Sequence, residues 1–222
     1  MNRRELIAAV VACVQQGVTR PAFSEDAQSG PALSARLLAH APAIGERTFG
    51  LPGAPVTVVE YASATCPHWA QFHIHVLPRI LRTYVDAGKV RWIFINMPLV
   101  SIHPNAVPAA ELAMCAAREG KFWPAHDILY RRQDVWAPLK NPAAFLLSVA
   151  DSLKIPRARI TPCLEKGETR ALVRSDSEGS VKAGASSTPT FYIEGALMKG
   201  AYPPEIWRPI LDSIVRVKSR KS

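Results

Sequence analysis

The chain has 222 residues, a formal net charge of +9, 48% hydrophobic residues and 20% charged residues. That length fits one domain with an inserted block, and the composition is that of a globular protein. The basic residues are dispersed rather than interleaved with aromatics, which argues against nucleic-acid binding, and no apolar run reaches the roughly 18 residues needed to span a membrane. Long-range attraction of acidic partners stays open.

The first segment, 1–24, has the layout of an export signal. Arg3 and Arg4 precede an apolar core, Leu6–Val14, and Ala22-Phe23-Ser24 offers small residues for cleavage. The paired arginines, the short core and Arg20 near the cut are similar to a twin-arginine signal. The alternative is an ordinary N-terminal helix. Cleavage would discard Cys13 and deliver the chain to a compartment where disulfides persist. Residues 25–45 read as an N-terminal extension, Ala/Pro-rich over Gln28–Ala43 and ending in a turn at Gly45, with one short helix expected over Leu33–His40.

Thr48-Phe49-Gly50 reads as a short edge strand, and Leu51–Pro55 as a turn. Val56–Tyr61 is an apolar, β-branched run, as a central strand requires. Ala62–Thr65 is a small-residue turn that places Cys66 at the first turn of a helix. Pro67 is tolerated there because a first-turn N–H has no helical partner. Phe72, Val76, Leu77, Ile80, Leu81 and Tyr84 give that helix one apolar face, and Pro78 should kink it. Gly88 ends it. Val90–Asn96 is a second buried strand, so the three elements form a right-handed βαβ unit with parallel strands.

His103–Asp176 reads as helical. Ala106–Glu119 opens with Asn105 as cap, Lys121–Arg132 follows, and Asn141–Lys154 opens with Asn141 as cap and Pro142 in the first turn. A fourth piece begins at Ile155-Pro156 and continues through Arg159–Lys166 and Thr169–Glu178. Strand character returns over Thr188–Ile193, then a hairpin turn at Glu194-Gly195 and a partner strand, Ala196–Lys199. Pro203–Val217 is an amphipathic helix.

Cys66 is the residue with chemistry. Unpaired N–H groups and the dipole at a helix N-terminus favour a negatively charged sulfur, and a protonated His68 would add positive charge. The plain alternative is a small buried core cysteine. His68, His73 and His75 lie close together in sequence, but the helix should turn His73 and His75 outward, so solvated histidines are expected rather than a metal site. There is no phosphate-binding glycine loop, Ser-His-Asp pattern or paired zinc cysteines.

The strand, the turn and Cys66-Pro67-His68-Trp69 together resemble the active-site region of the DsbA-like thiol–disulfide oxidoreductases. His103-Pro104-Asn105, Gly120-Lys121-Phe122-Trp123 and Ser187-Thr188-Pro189-Thr190-Phe191 are similar to that family's text too. Where the family carries a second active-site cysteine, this sequence has Trp69.

The resemblance implies an α/β thioredoxin fold with an inserted helical subdomain. Its core would be 46–102 and 179–217, the insertion 103–178, and 218–222 a solvated basic tail. It implies Cys66, Pro67 and His68 as catalytic residues, and Trp69, Thr188 and Pro189 as a substrate-binding wall. Thr188-Pro189 would be a cis peptide facing Cys66; a trans edge-strand proline is the alternative. Of the three cysteines left after export, the resemblance supports Cys115 paired with Cys163 and Cys66 free; the alternative leaves both unpaired in helix cores. Trp69 should lie one turn from Cys66 and add apolar surface around the sulfur.

The expected function is disulfide exchange in the periplasm on exported proteins that carry cysteines or disulfides. A client thiol, glutathione or a membrane redox partner would release the mixed disulfide. No bound cofactor or metal is implied. Two alternatives are a redox-silent binding module or holdase, and a glutathione-using thioredoxin-fold isomerase or transferase.

Overall fold

A computed structural model describes residues 47–220. The export signal, the extension and the last two residues of the tail lie outside them. A mixed sheet of five strands has the order β1-β3-β2-β4-β5. β1 is Thr48–Phe49, β2 Val56–Ala62, β3 Val90–Asn96, β4 Thr190–Ile193 and β5 Ala196–Lys199. β2 pairs parallel with β3, as the βαβ reading requires, and antiparallel with β4. β1 and β5 are antiparallel edges. Both β2 and β3 are buried along most of their length, so their apolar runs are covered on both faces.

Alternation along β2 divides the core. Val56, Val58 and Ala62 join the large cluster with Trp92, Phe94 and Phe191, whereas Val59 and Tyr61 join a smaller one with Ile93, Ile95 and Tyr192. The expected kinked helix is broken instead. It runs as α1 (Pro67–His75), then α2 (Leu77–Ile80), then a π-helical turn over Leu81–Val85. Pro78 has no N–H to continue the helical ladder, and the chain re-forms with wider turns; the Asp86 N–H reaches the Leu81 carbonyl, five residues back.

Between β3 and β4 run α3 (Ala106–Ala117), α4 (Phe122–Arg131), α5 (Gln133–Trp136), α6 (Ala143–Ser152), α7 (Arg157–Glu165) and α8 (Arg170–Lys182). Pro142, not Asn141, holds the N-cap position of α6, and Asn141 lies one residue before it, its Oδ1 accepting from the Ala143 N–H at 3.0 Å. Asn105 holds the N-cap position of α3 as expected, but its side chain makes no capping bond. Its amide donates to the Ala137 and Leu139 carbonyls at 3.0 and 2.7 Å, holding the loop after α5. Cys115 on α3 and Cys163 on α7 are joined as a disulfide, which settles the pairing. α8 covers the second sheet face. Its buried Asp176 pairs with Arg47 and accepts from the Asn96 side chain at 2.8 Å.

Glu194 and Gly195 both have positive φ, 51° and 84°, as the tight β4–β5 hairpin demands. The last helix, α9 (Pro204–Ser219), buries Trp207, Ile210, Leu211 and Ile214. It continues past the expected end, and Lys218 pairs with Glu194. The tail therefore begins as ordered helix.

Candidate active site

β2 delivers the chain to the end of the sheet, and the turn after it sets Cys66. The Cys66 N–H donates to the Ser63 carbonyl at 3.0 Å, and the Ser63 and Thr65 hydroxyls bond at 2.9 Å. Cys66 is the N-cap of α1, with φ −78° and ψ 116°, and Pro67 is in the first turn. Its thiol is not spent on capping; Sγ donates to the Thr188 carbonyl at 3.4 Å. Thr188-Pro189 is a cis peptide, as the resemblance implied. The Thr190 hydroxyl donates to the Ser187 carbonyl at 2.6 Å, and the Gly200 N–H to the Pro189 carbonyl at 2.9 Å, so this wall is held from both sides.

The structure thus brings Cys66, Thr188 and Pro189 together. Pro67 and His68 are exposed at the rim, Thr188 is half-buried and Pro189 is buried. Cys66 retains 4% of its surface, and it is the free cysteine among the described residues.

Two sequence expectations need correction. Trp69 cannot form part of a substrate-binding wall, because it is fully buried. Its ring stacks on Phe72 with centroids 4.7 Å apart and lies 5.6 Å from Phe191 and 6.1 Å from Tyr130. A large apolar ring one helical turn inside the N-cap is better removed from water than displayed. His73 does not point to solvent either. It is buried under α4, and its Nε2 is 3.1 Å from Asp127 Oδ1. That bond, with Arg131 beyond it, holds the Asp127 carboxyl below the usual carboxylate range. His75 is exposed, and no group of three His, Cys, Asp or Glu among the described residues is arranged to hold a metal ion.

Three further features escaped the sequence reading. Glu60 stands fully buried on β2, where Trp92 Nε1 donates to its Oε2 at 2.6 Å and Oε1 has no partner. Burial pushes its carboxyl well above the ordinary range. A lone acid inside Val56–Tyr61 was the available signal. His126 and Tyr130 of α4 are buried against each other, ring centroids 4.6 Å apart. Burial holds His126 well below the usual histidine range, with neighbouring His73 acting in the same direction. Gln133 Nε2 donates to the Ala64 and Cys66 carbonyls at 2.7 and 3.1 Å. A glutamine just beyond an amphipathic segment carries no sequence signal for that contact.

The family model described as Thioredoxin matches residues 43–213. Among curated relatives, the Na(+)/H(+) antiporter NhaA 3 of Salinispora tropica is 36% identical over 149 residues, 67% of this chain and 22% of that protein. The chain therefore spans only about a fifth of that relative's length. Disulfide bond formation protein D of Bacillus subtilis is 28% identical over 162 residues, 70% of each chain. Among solved structures, α-DsbA1 of Wolbachia pipientis superposes with TM-score 0.73 at 23% identity, covering 81% of this chain and 94% of that one. Oxidised BdbD of Bacillus subtilis does so with TM-score 0.70 at 24% identity, covering 77% and 92%. At these identities the superpositions establish the shared fold: a thioredoxin core with inserted helices.

Proposed function

The chain belongs to the thioredoxin family, and on that premise we propose that it is a DsbA-like thiol–disulfide oxidoreductase or isomerase. It acts on protein disulfides through Cys66 of the Cys-Pro-His-Trp motif. The observation that carries this reading is the Cys66 sulfur at a helix N-terminus, 3.4 Å from the backbone carbonyl that precedes Pro189. The likeness to disulfide bond formation protein D of Bacillus subtilis supports the same chemistry.

The step balances without an added oxidant. The Cys66 thiolate attacks one sulfur of a client disulfide, a Cys66–client disulfide forms, and the other client sulfur leaves as thiolate and takes up a proton. One disulfide is lost and one is made. Position 69 holds no thiol to reverse the step from within. Release therefore falls to a second client thiol, which takes the disulfide back and completes a shuffle, or to glutathione or another external thiol, two of which leave the client and Cys66 reduced and depart as their own disulfide. Pro67 and His68 border the sulfur on its exposed side, and the Ser187–Thr188 backbone is the adjacent surface for a client strand.

Export to the periplasm is part of this proposal. The disulfide between Cys115 and Cys163 suits an oxidising compartment, and the paired arginines of the leader suit export.

A second reading has its own observation. Cys66 is 4% exposed, with its S–H directed at a carbonyl oxygen, which suits a redox-silent thioredoxin-fold module that holds clients non-covalently. Incubation with a protein of scrambled disulfides separates the two. Exchange through Cys66 predicts a mixed disulfide at Cys66 and faster recovery of native pairing, both lost in Cys66→Ser. Client binding that survives in Cys66→Ser, without any mixed disulfide in the parent, overturns the exchange reading in favour of the holding one.

A further inference from the structure

Gln133 comes from the inserted helical block, 67 residues beyond Cys66 in the chain. It is 8% exposed and opens α5. Its Nε2 reaches the Ala64 carbonyl at 2.7 Å and the Cys66 carbonyl at 3.1 Å. A primary amide offers two N–H donors in one rigid plane, so a single side chain fixes the relative directions of both carbonyls. The Cys66 carbonyl also takes the first hydrogen bond of α1, from the Ala70 N–H at 3.1 Å. Two donors on that oxygen leave the Cys66 peptide little freedom to rotate. The direction of its side chain toward Thr188 is set with it.

The other end of this strut is anchored independently. The Ala137 N–H donates to the Gln133 carbonyl at 2.9 Å. Trp136 is fully buried, and its indole N–H donates to the Leu129 carbonyl at 2.7 Å. Asn105 grips the loop that follows. A shift of α5 relative to the sheet would therefore be carried to the Ala64 and Cys66 carbonyls by the Gln133 amide.

We propose that Gln133 is a positioning residue through which the helical block sets the Cys66 sulfur. The proposal rests on Cys66 being the nucleophile. Gln133 touches neither sulfur nor client in this arrangement; it acts through the backbone of the active-site turn.

The test uses the full chain and three variants. Gln133→Met keeps side-chain length and removes both donors. Gln133→Asn keeps the amide and shortens its reach, and serves if the methionine variant does not fold. Asn105→Ala loosens the same helical region without touching the Cys66 turn. The readouts are the rate of Cys66 alkylation across a pH series and the rate of mixed-disulfide formation with a small aromatic disulfide. Either Gln133 variant should slow both by about fivefold or more, and Asn105→Ala, which loosens the anchor of α5 but leaves the Gln133 amide on both carbonyls, should slow them by less. Unchanged rates at Gln133, or a loss in Asn105→Ala as large as in the Gln133 variants, overturn the proposal. A parent that reacts normally beside an unaltered Gln133→Met sinks this inference alone; a parent whose Cys66 does not react sinks the exchange function as well.

Discussion

The Cys66 sulfur and the Thr188 carbonyl oxygen, 122 residues apart in the chain, meet at 3.4 Å. That contact joins the first helix of the fold to the peptide before Pro189. It gives the thiol a fixed direction and sets it beside the half-buried Thr188 backbone.

Replacing Cys66 with serine should remove chemistry and spare the fold. A hydroxyl can still donate to the Thr188 carbonyl, so unfolding free energy should stay within about 1 kcal/mol of the parent. Mass spectrometry after exposure to a disulfide probe should find the parent's adduct and none in the variant. An adduct of equal yield in Cys66→Ser would place the reactive sulfur elsewhere.

Trp69→Cys restores a second cysteine three residues after the first but removes a fully buried ring packed on Phe72 and Phe191. The cavity should cost about 3–5 kcal/mol, read by denaturant unfolding of the reduced protein. Treated with oxidised glutathione, which is reduced in the exchange, the molecules that remain folded should form a disulfide between Cys66 and the introduced thiol and pass it to a reduced client, whereas the parent, freed of the oxidant, should not. A well-folded variant without oxidase activity would count against the exchange assignment.

The Cys115–Cys163 disulfide closes a loop with a sequence separation of 48 residues. Its removal as a double alanine variant should lower stability by about 4 kcal/mol on the chain-entropy account. The alkylation rate of Cys66 should be unchanged, because the disulfide ties α3 to α7 and contributes nothing to the Cys66 turn. A large change in that rate would mean that the two sulfur sites communicate.

Glu60→Gln tests the buried acid under the site. The Glu60 carboxyl is raised in the fold, so the folded state holds its proton above the pH at which the unfolded chain releases it. Stability of the parent must then fall as pH rises from about 4.3, the ordinary glutamate value, through the raised folded value. Glutamine can still accept from Trp92 and has no proton to lose. The variant should match the parent near pH 4 and become progressively more stable than it toward neutral and alkaline pH. A difference that stays flat with pH would show that Glu60 is not raised.

Much of the fold was legible along the chain. Val56–Tyr61 and Val90–Asn96 read as buried strands, because short runs dominated by β-branched and aromatic residues, with only an isolated polar residue in each half, have no continuous polar face to give to water. Cys66-Pro67 marked a helix start because proline lacks the N–H that a later helical position needs, and Glu194-Gly195 marked a hairpin through the backbone those residues tolerate. What escaped were partners distant in sequence. Its own helix alone would turn His73 to solvent, yet α4 lies over that face and supplies Asp127. Trp69 lies three residues before Phe72, on the same apolar face, but only the packing of Phe191 and Tyr130 against it decides that none of it reaches a client.

By itself, then, the sequence determined the periodicities, the helix start at Cys66 and the presence of one cysteine without a neighbour in its motif, since these follow from local backbone preference and residue count. The tertiary structure alone decided how far the sulfur is exposed, which side chains close over it and that Gln133 reaches the Cys66 carbonyl. Those depend on close packing between segments tens to more than a hundred residues apart, which no local preference encodes.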